Sequence, residues 1–118
     1  MNKKDIGKIT KVAKKLGFNV KTDGKEFLFS QFSPAGQDFN IELSANNIEE
    51  LAEKFDEYYE AYDISYETYL WLDSEGHGTN GAPHNMRDLY EDMEACEAMI
   101  KELSEEISLL VEWIKYWF

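Results

Sequence analysis

Carboxylates are the residues through which this chain can do most of its chemistry. Glu49, Glu53, Asp56, Glu57 and Glu60 recur at three- and four-residue spacing; Asp88, Glu91, Asp92 and Glu94 start a second row, and Glu102, Glu105 and Glu106 extend it. On one helix face, side chains three and four apart stand roughly 5–6 Å from one another. Each row is then a close-set line of negative charge, as the phosphates of a duplex are. A surface of this kind fits a channel lined by lysine and arginine. The partner-binding candidates on this reading are Glu49, Glu53, Asp56, Glu57, Glu60, Asp88, Glu91, Asp92, Glu102 and Glu105. The plainer alternative is a solvated helix face, which has the same periodicity.

The stretch DSEGHGTNGAPH, residues 73–84, holds both histidines of the chain. Asp73 and His77 are four apart, and so are His84 and Asp88. If Asp73 ends one helix and His84 begins the next, the loop brings Asp73, His77, His84 and Asp88 together. Two imidazoles and two carboxylates are a tetrahedral zinc set, and zinc-dependent hydrolysis is the chemistry that set would support. Against it, the spacing lacks the Cys/His regularity of strong zinc patterns. The alternative is a glycine-rich turn whose histidines cap helix ends or meet solvent. Cys96 falls on an apolar helical stripe and reads as a small buried hydrophobe rather than a ligand or nucleophile. There is no G-x-S-x-G elbow, P-loop, dinucleotide fingerprint or H-E-x-x-H, so a non-enzymatic protein is expected.

The C-terminal run ISLLVEWIKYWF is apolar on more than one helical face, through Ile107, Leu109, Leu110, Val111, Trp113, Ile114, Tyr116, Trp117 and Phe118. A helix apolar nearly all round must be covered on more than one side. Either the sheet covers it within the monomer or a second molecule does. Trp113, Trp117 and Phe118 are the expected anchors of a homodimer, since aromatic residues are favoured at interfaces and a two-fold pairing sets one patch against itself.

Elements must position these groups, and 118 residues suffice for a single domain over residues 1–118. Ile6, Ile9, Val12, Ala13 and Leu16 keep helical spacing before Gly17, which predicts a first helix over about residues 3–16. Residues 18–22 read as a strand, Asp23-Gly24 as a type I′ turn, 26–32 as the return strand and 33–37 as a loop. Residues 38–43 alternate polar and apolar, marking a third strand with one wet face. Asn46 or Asn47 caps a second helix with the apolar stripe Ile48, Leu51, Ala52, Phe55, Tyr58, Tyr59 and Tyr62. Ser65 is expected to cap a short helix over 66–72, where Tyr-Leu-Trp-Leu also suits a strand. Residues 73–83 form a loop, and a long helix follows with Met86, Leu89, Tyr90, Met93, Cys96, Ile100, Leu103, Ile107, Leu110 and Ile114 on its stripe. The fold class is α+β: a helix, a three-stranded antiparallel meander, then acidic helices ending in a long C-terminal one.

Charge sets the partner class. The chain has 24 acidic and 12 basic residues, a formal net charge of −12, unevenly spread. Residues 1–25 hold eight lysines against Asp5 and Asp23, a balance of +6, and the remainder carries −18. Such a body repels nucleic acid and attracts basic protein surfaces, so no direct nucleic-acid binding is expected. A single cysteine, a start without an apolar h-region and the lack of a membrane-spanning stretch lead to an expected cytoplasmic location.

Helix, three antiparallel strands, helix is also the order of double-stranded-RNA-binding domains, but those need basic phosphate contacts and the helix after the strands here is acidic. In wording, Gln31-Phe32-Ser33-Pro34-Ala35-Gly36-Gln37-Asp38-Phe39, Tyr69-Leu70-Trp71-Leu72-Asp73-Ser74-Glu75-Gly76-His77-Gly78, Asn80-Gly81-Ala82-Pro83 and Asp92-Met93-Glu94-Ala95-Cys96 resemble a family of small acidic proteins encoded by phages and integrated mobile elements of gut and streptococcal-type bacteria. The resemblance covers about residues 26–104. Small acidic phage proteins of this kind include anti-CRISPR inhibitors of type II RNA-guided nucleases. The resemblance thus implies an inhibitor that keeps guide or target nucleic acid from a basic channel of a host nuclease. The alternatives are a mobile-element accessory or regulatory module without a defence target, and the zinc hydrolase above.

Overall fold

A computed structural model describes residues 1–67 and 86–117, the side chains of 86–88 and 114–117 excepted. These residues form α1 (Lys3–Lys15), β1 (Asn19–Thr22), β2 (Glu26–Phe32), β3 (Asp38–Ser44), α2 (Ile48–Ala61) and α3 (Met86–Trp117). The architecture is α+β, as the periodicities indicate.

Local chemistry sets the ends of α1. The Asn2 side chain accepts from the Asp5 amide at 2.8 Å, which satisfies one of the free N–H groups of the first turn. At the other end Gly17 adopts φ +92°, the Gly17 amide bonds Lys14 O at 3.0 Å and the Phe18 amide bonds Ala13 O at 2.9 Å. That pair of bonds is a Schellman cap, which needs the left-handed residue at Gly17. A Cβ there would also stand 2.9 Å from Gln31 Oε1.

The sheet order is β1-β2-β3, antiparallel throughout. One face carries the rows Val20–Phe29–Ile41 and Thr22–Phe27–Leu43 into the core; the other carries Lys21–Leu28–Glu42 toward solvent. Period-two alternation produces this division. The first turn differs from expectation. A two-residue turn at Asp23-Gly24 would pair Thr22 with Lys25, whereas Thr22 pairs with Phe27. The cause is the Asp23 carboxylate, whose Oδ1 accepts from the Lys25 and Glu26 amides at 2.9 and 2.8 Å and so holds a longer connection. Those backbone bonds, Glu26's first, also hold its acid below the usual carboxylate range. The register moves by two residues, so every side chain keeps its face.

Helices cover the inner face. α1 packs on β1, α2 on β3, and α3 lies against both α1 and α2. Asn47, rather than Asn46, caps α2 by accepting from the Glu50 amide at 2.8 Å. One apolar cluster joins Ile9 and Ala13 of α1, Phe27, Phe29 and Ile41 of the sheet, Leu51 and Phe55 of α2, and Cys96, Ile100, Leu103 and Ile107 of α3. Phe29 meets Phe55 edge-on at 5.1 Å. At 32 residues and 1.5 Å per residue, α3 is about 48 Å long, nearly the 50 Å long axis of the molecule.

Two details depart from the expected elements. The turn of helix at 64–67 is capped by Asp63, whose Oδ1 accepts from the Tyr66 amide at 3.1 Å, and Ser65 lies inside it. Residues 68–72, expected to continue that helix, lie outside the described residues, as does the loop over 73–83. Tyr90, assigned to the apolar stripe of α3, is instead exposed.

Candidate functional site

On α2, Glu49, Glu53, Asp56, Glu57 and Glu60 are all exposed. Their common face follows from the opposite stripe, because Ile48, Leu51, Ala52 and Phe55 are buried and leave the carboxylates no other direction. Glu49 and Glu50 also stand in the first turn, where negative charge complements the helix dipole. Asp56 differs from its neighbours: Ser104 of α3 donates its hydroxyl to Asp56 Oδ1 at 2.8 Å, and Ser104 is buried. Asp56 therefore ties α2 to α3 at the edge of the acidic face.

On α3, Glu91, Glu94, Glu102 and Glu105 are exposed. Asp92 is not, and its place on a partner-binding surface must be corrected. Its side chain is 4% exposed and turns toward the loop between β2 and β3. It accepts from Ser33 Oγ at 2.6 Å, from the Ala35 amide at 2.9 Å and from the Gln37 side-chain amide. The loop closes on itself as well. The Gln37 amide donates to Ser33 Oγ at 3.0 Å, the Ser33 amide to Gln37 O at 2.8 Å and the Gly36 amide to Ser33 O at 2.9 Å, with Gly36 at φ +88°. A buried carboxylate is costly unless its oxygens are satisfied, and here three donors converge on it. The reason was legible in spacing: Asp92 is three residues after Leu89 and four before Cys96, on the buried stripe. Asp88 belongs to α3, and its side chain lies outside the description.

Below Asp92, the Tyr62 hydroxyl donates to Met93 Sδ at 3.4 Å and Cys96 is buried. Burial pushes the Cys96 thiol up to about 12; the nearby Asp92 carboxylate adds to the rise, and a hydrogen bond with Tyr62 opposes it. Burial likewise raises Tyr62 and Tyr58. A thiol so held is protonated at neutral pH and unsuited to nucleophilic or ligand chemistry, in keeping with the hydrophobe reading.

Of the zinc candidates, Asp73, His77 and His84 lie outside the described residues together with the side chain of Asp88. Among the described residues no group of three metal-ligating side chains occurs. At the far end of α3, Ile107 is buried, whereas Leu109 and Trp113 are 56% and 57% exposed. The body of the monomer thus leaves Trp113 largely in solvent. The Trp117 side chain and Phe118 lie outside the description. No helix among the described residues is long and apolar enough to cross a membrane.

No protein-family model, curated protein or solved structure matches this chain. Segments 31–39 and 92–96 are direct partners, joined through Asp92, which clamps the β2–β3 loop to α3.

Proposed function

We propose that the protein is a non-enzymatic inhibitor of the anti-CRISPR type. It acts in the host bacterial cytoplasm, binding a basic channel of a host defence nuclease with its acidic helices and keeping guide or target nucleic acid out. The observation that carries this reading is the row Glu49, Glu53, Glu57 and Glu60, exposed on a helix whose opposite face is locked into the core. A rigid helix holds the carboxylates at fixed spacing, so the repulsion among them is met when the fold forms and not at binding. Glu91, Glu94, Glu102 and Glu105 extend the negative surface along α3. Capture of purified type II effector nucleases, followed by guide loading and cleavage assays, tests the proposal. Loss of loading supports it, and unchanged loading across the effectors overturns it.

The exposed Leu109 and Trp113 favour a second reading, a mobile-element interaction module without a defence target. On that reading the ends of α3 pair two-fold through Trp113. Light scattering of the wild type and of Trp113→Glu checks this: a dimer that becomes a folded monomer supports it, and a monomeric wild type refutes it.

A further inference from the structure

The lysines of α1 belong to neither reading. Lys3, Lys4, Lys11, Lys14 and Lys15 are exposed and Lys8 is half-buried, while Ile9 and Ala13 on the other side are fully buried. The apolar face of this helix is thus spent on the core, so α1 has none left to insert into a lipid surface. Its one acid, Asp5, is engaged with Asn2 at the helix start. Among the described residues no ion pair joins an α1 lysine to a carboxylate.

α1 lies along β1 and α2 along β3, the two opposite edges of the sheet. The fold therefore keeps its basic helix and the acidic row of α2 on separate flanks, where they cannot neutralise one another within one molecule, although α3, itself acidic, packs against α1. They can do so between molecules. We propose that the lysine face of α1 docks on the Glu49–Glu53–Glu57 face of α2 in a second copy of this chain. The contact is heterologous, so it builds short chains or a closed ring rather than a two-fold dimer.

The net charge of −12 opposes any such approach, and screening decides which effect wins. At about 0.15 M salt the screening length is about 8 Å. The molecule is 21 Å across even on its shortest axis, so charges on the far flanks are screened while facing helices still attract. At about 1 M salt the length is about 3 Å and the attraction goes too. Because the contact covers the α2 carboxylates, a molecule held in this way is unavailable to a basic partner through the same face. The proposal does not depend on what that partner is.

Sedimentation velocity on the full chain tests it with two charge-reversed variants, Lys4→Glu/Lys11→Glu/Lys15→Glu and Glu49→Lys/Glu53→Lys/Glu57→Lys. The wild type is expected to show an average mass about twofold higher at 0.15 M than at 1 M salt. Each variant alone shows no such rise, and an equal mixture of the two restores it, because an acidic α1 then meets a basic α2. A salt-independent wild-type mass, or a mixture that stays unassociated, overturns the proposal. Circular dichroism checks folding. Should a reversed variant not fold, the Lys→Gln set at 4, 11 and 15 must still lose the rise. An apolar pairing through Trp113 would instead persist at 1 M salt.

Discussion

Ser33 and Asp92 stand 59 residues apart in sequence, and Ser33 Oγ donates to the Asp92 carboxylate at 2.6 Å. Both side chains are buried, and the same carboxylate takes two further donors from Ala35 and Gln37. Asp92→Ala would leave those donors buried without an acceptor. A loss of about 3 kcal/mol is expected, since hydrogen bonds to charged groups and stranded polar groups each count for one to a few kcal/mol. Asp92→Asn, which keeps one oxygen, should lose about half of that. Urea unfolding at constant m-value measures both, and a loss below about 0.5 kcal/mol for Asp92→Ala would contradict the clamp.

Two phenylalanines of β2, three residues apart, provide an internal control for the core. Phe29 is fully buried against Phe55, whereas Phe32 is 71% exposed. Phe29→Ala should cost about 3–5 kcal/mol through lost burial and the cavity left behind. Phe32→Ser should stay within about 0.5 kcal/mol of wild type. Equal effects at the two positions would mean that the inward and outward faces of the strand are misassigned.

Alkaline pH should expose the buried thiol. Cys96 is raised from its ordinary 9.0 to about 12, burial first and the Asp92 charge second. Between those values the unfolded chain releases a proton that the folded chain keeps. The stabilisation is therefore complete below pH 9, declines across the window and is gone above about 12. Tyr62, raised by burial, adds to the decline. Urea midpoints across this window should fall less steeply for Cys96→Ala than for wild type. Identical slopes would remove Cys96 from the account.

What was legible in the sequence was local. Apolar spacing located α1, α2 and α3, alternation marked the third strand, and the cap of α2 was narrowed to Asn46 or Asn47, of which the structure uses Asn47. Asp92 carries the same charge as its exposed neighbours, but its spacing places it on the buried stripe. The partners that make its burial tolerable lie on a distant loop and leave no periodic trace. At Asp23, likewise, a side chain replaces the backbone geometry that the Asp-Gly pair indicates. For Trp113 the sequence left cover by the sheet or by another molecule open; its side chain is 57% exposed, while Leu110 and Val111 of the same run pack on the core of the monomer.

On the proposed reading, the outer carboxylates of α2 keep nucleic acid from a nuclease. Asp56 is best left intact, because it holds Ser104. The most direct measurement is therefore guide-RNA loading of a captured type II effector in the presence of wild type or of Glu49→Lys/Glu53→Lys/Glu57→Lys/Glu60→Lys. The wild type is expected to block loading, and the variant, with native circular dichroism, to be weaker by more than about tenfold, as the reversal of several partial ion pairs implies. A folded variant that blocks loading as well as wild type would contradict it.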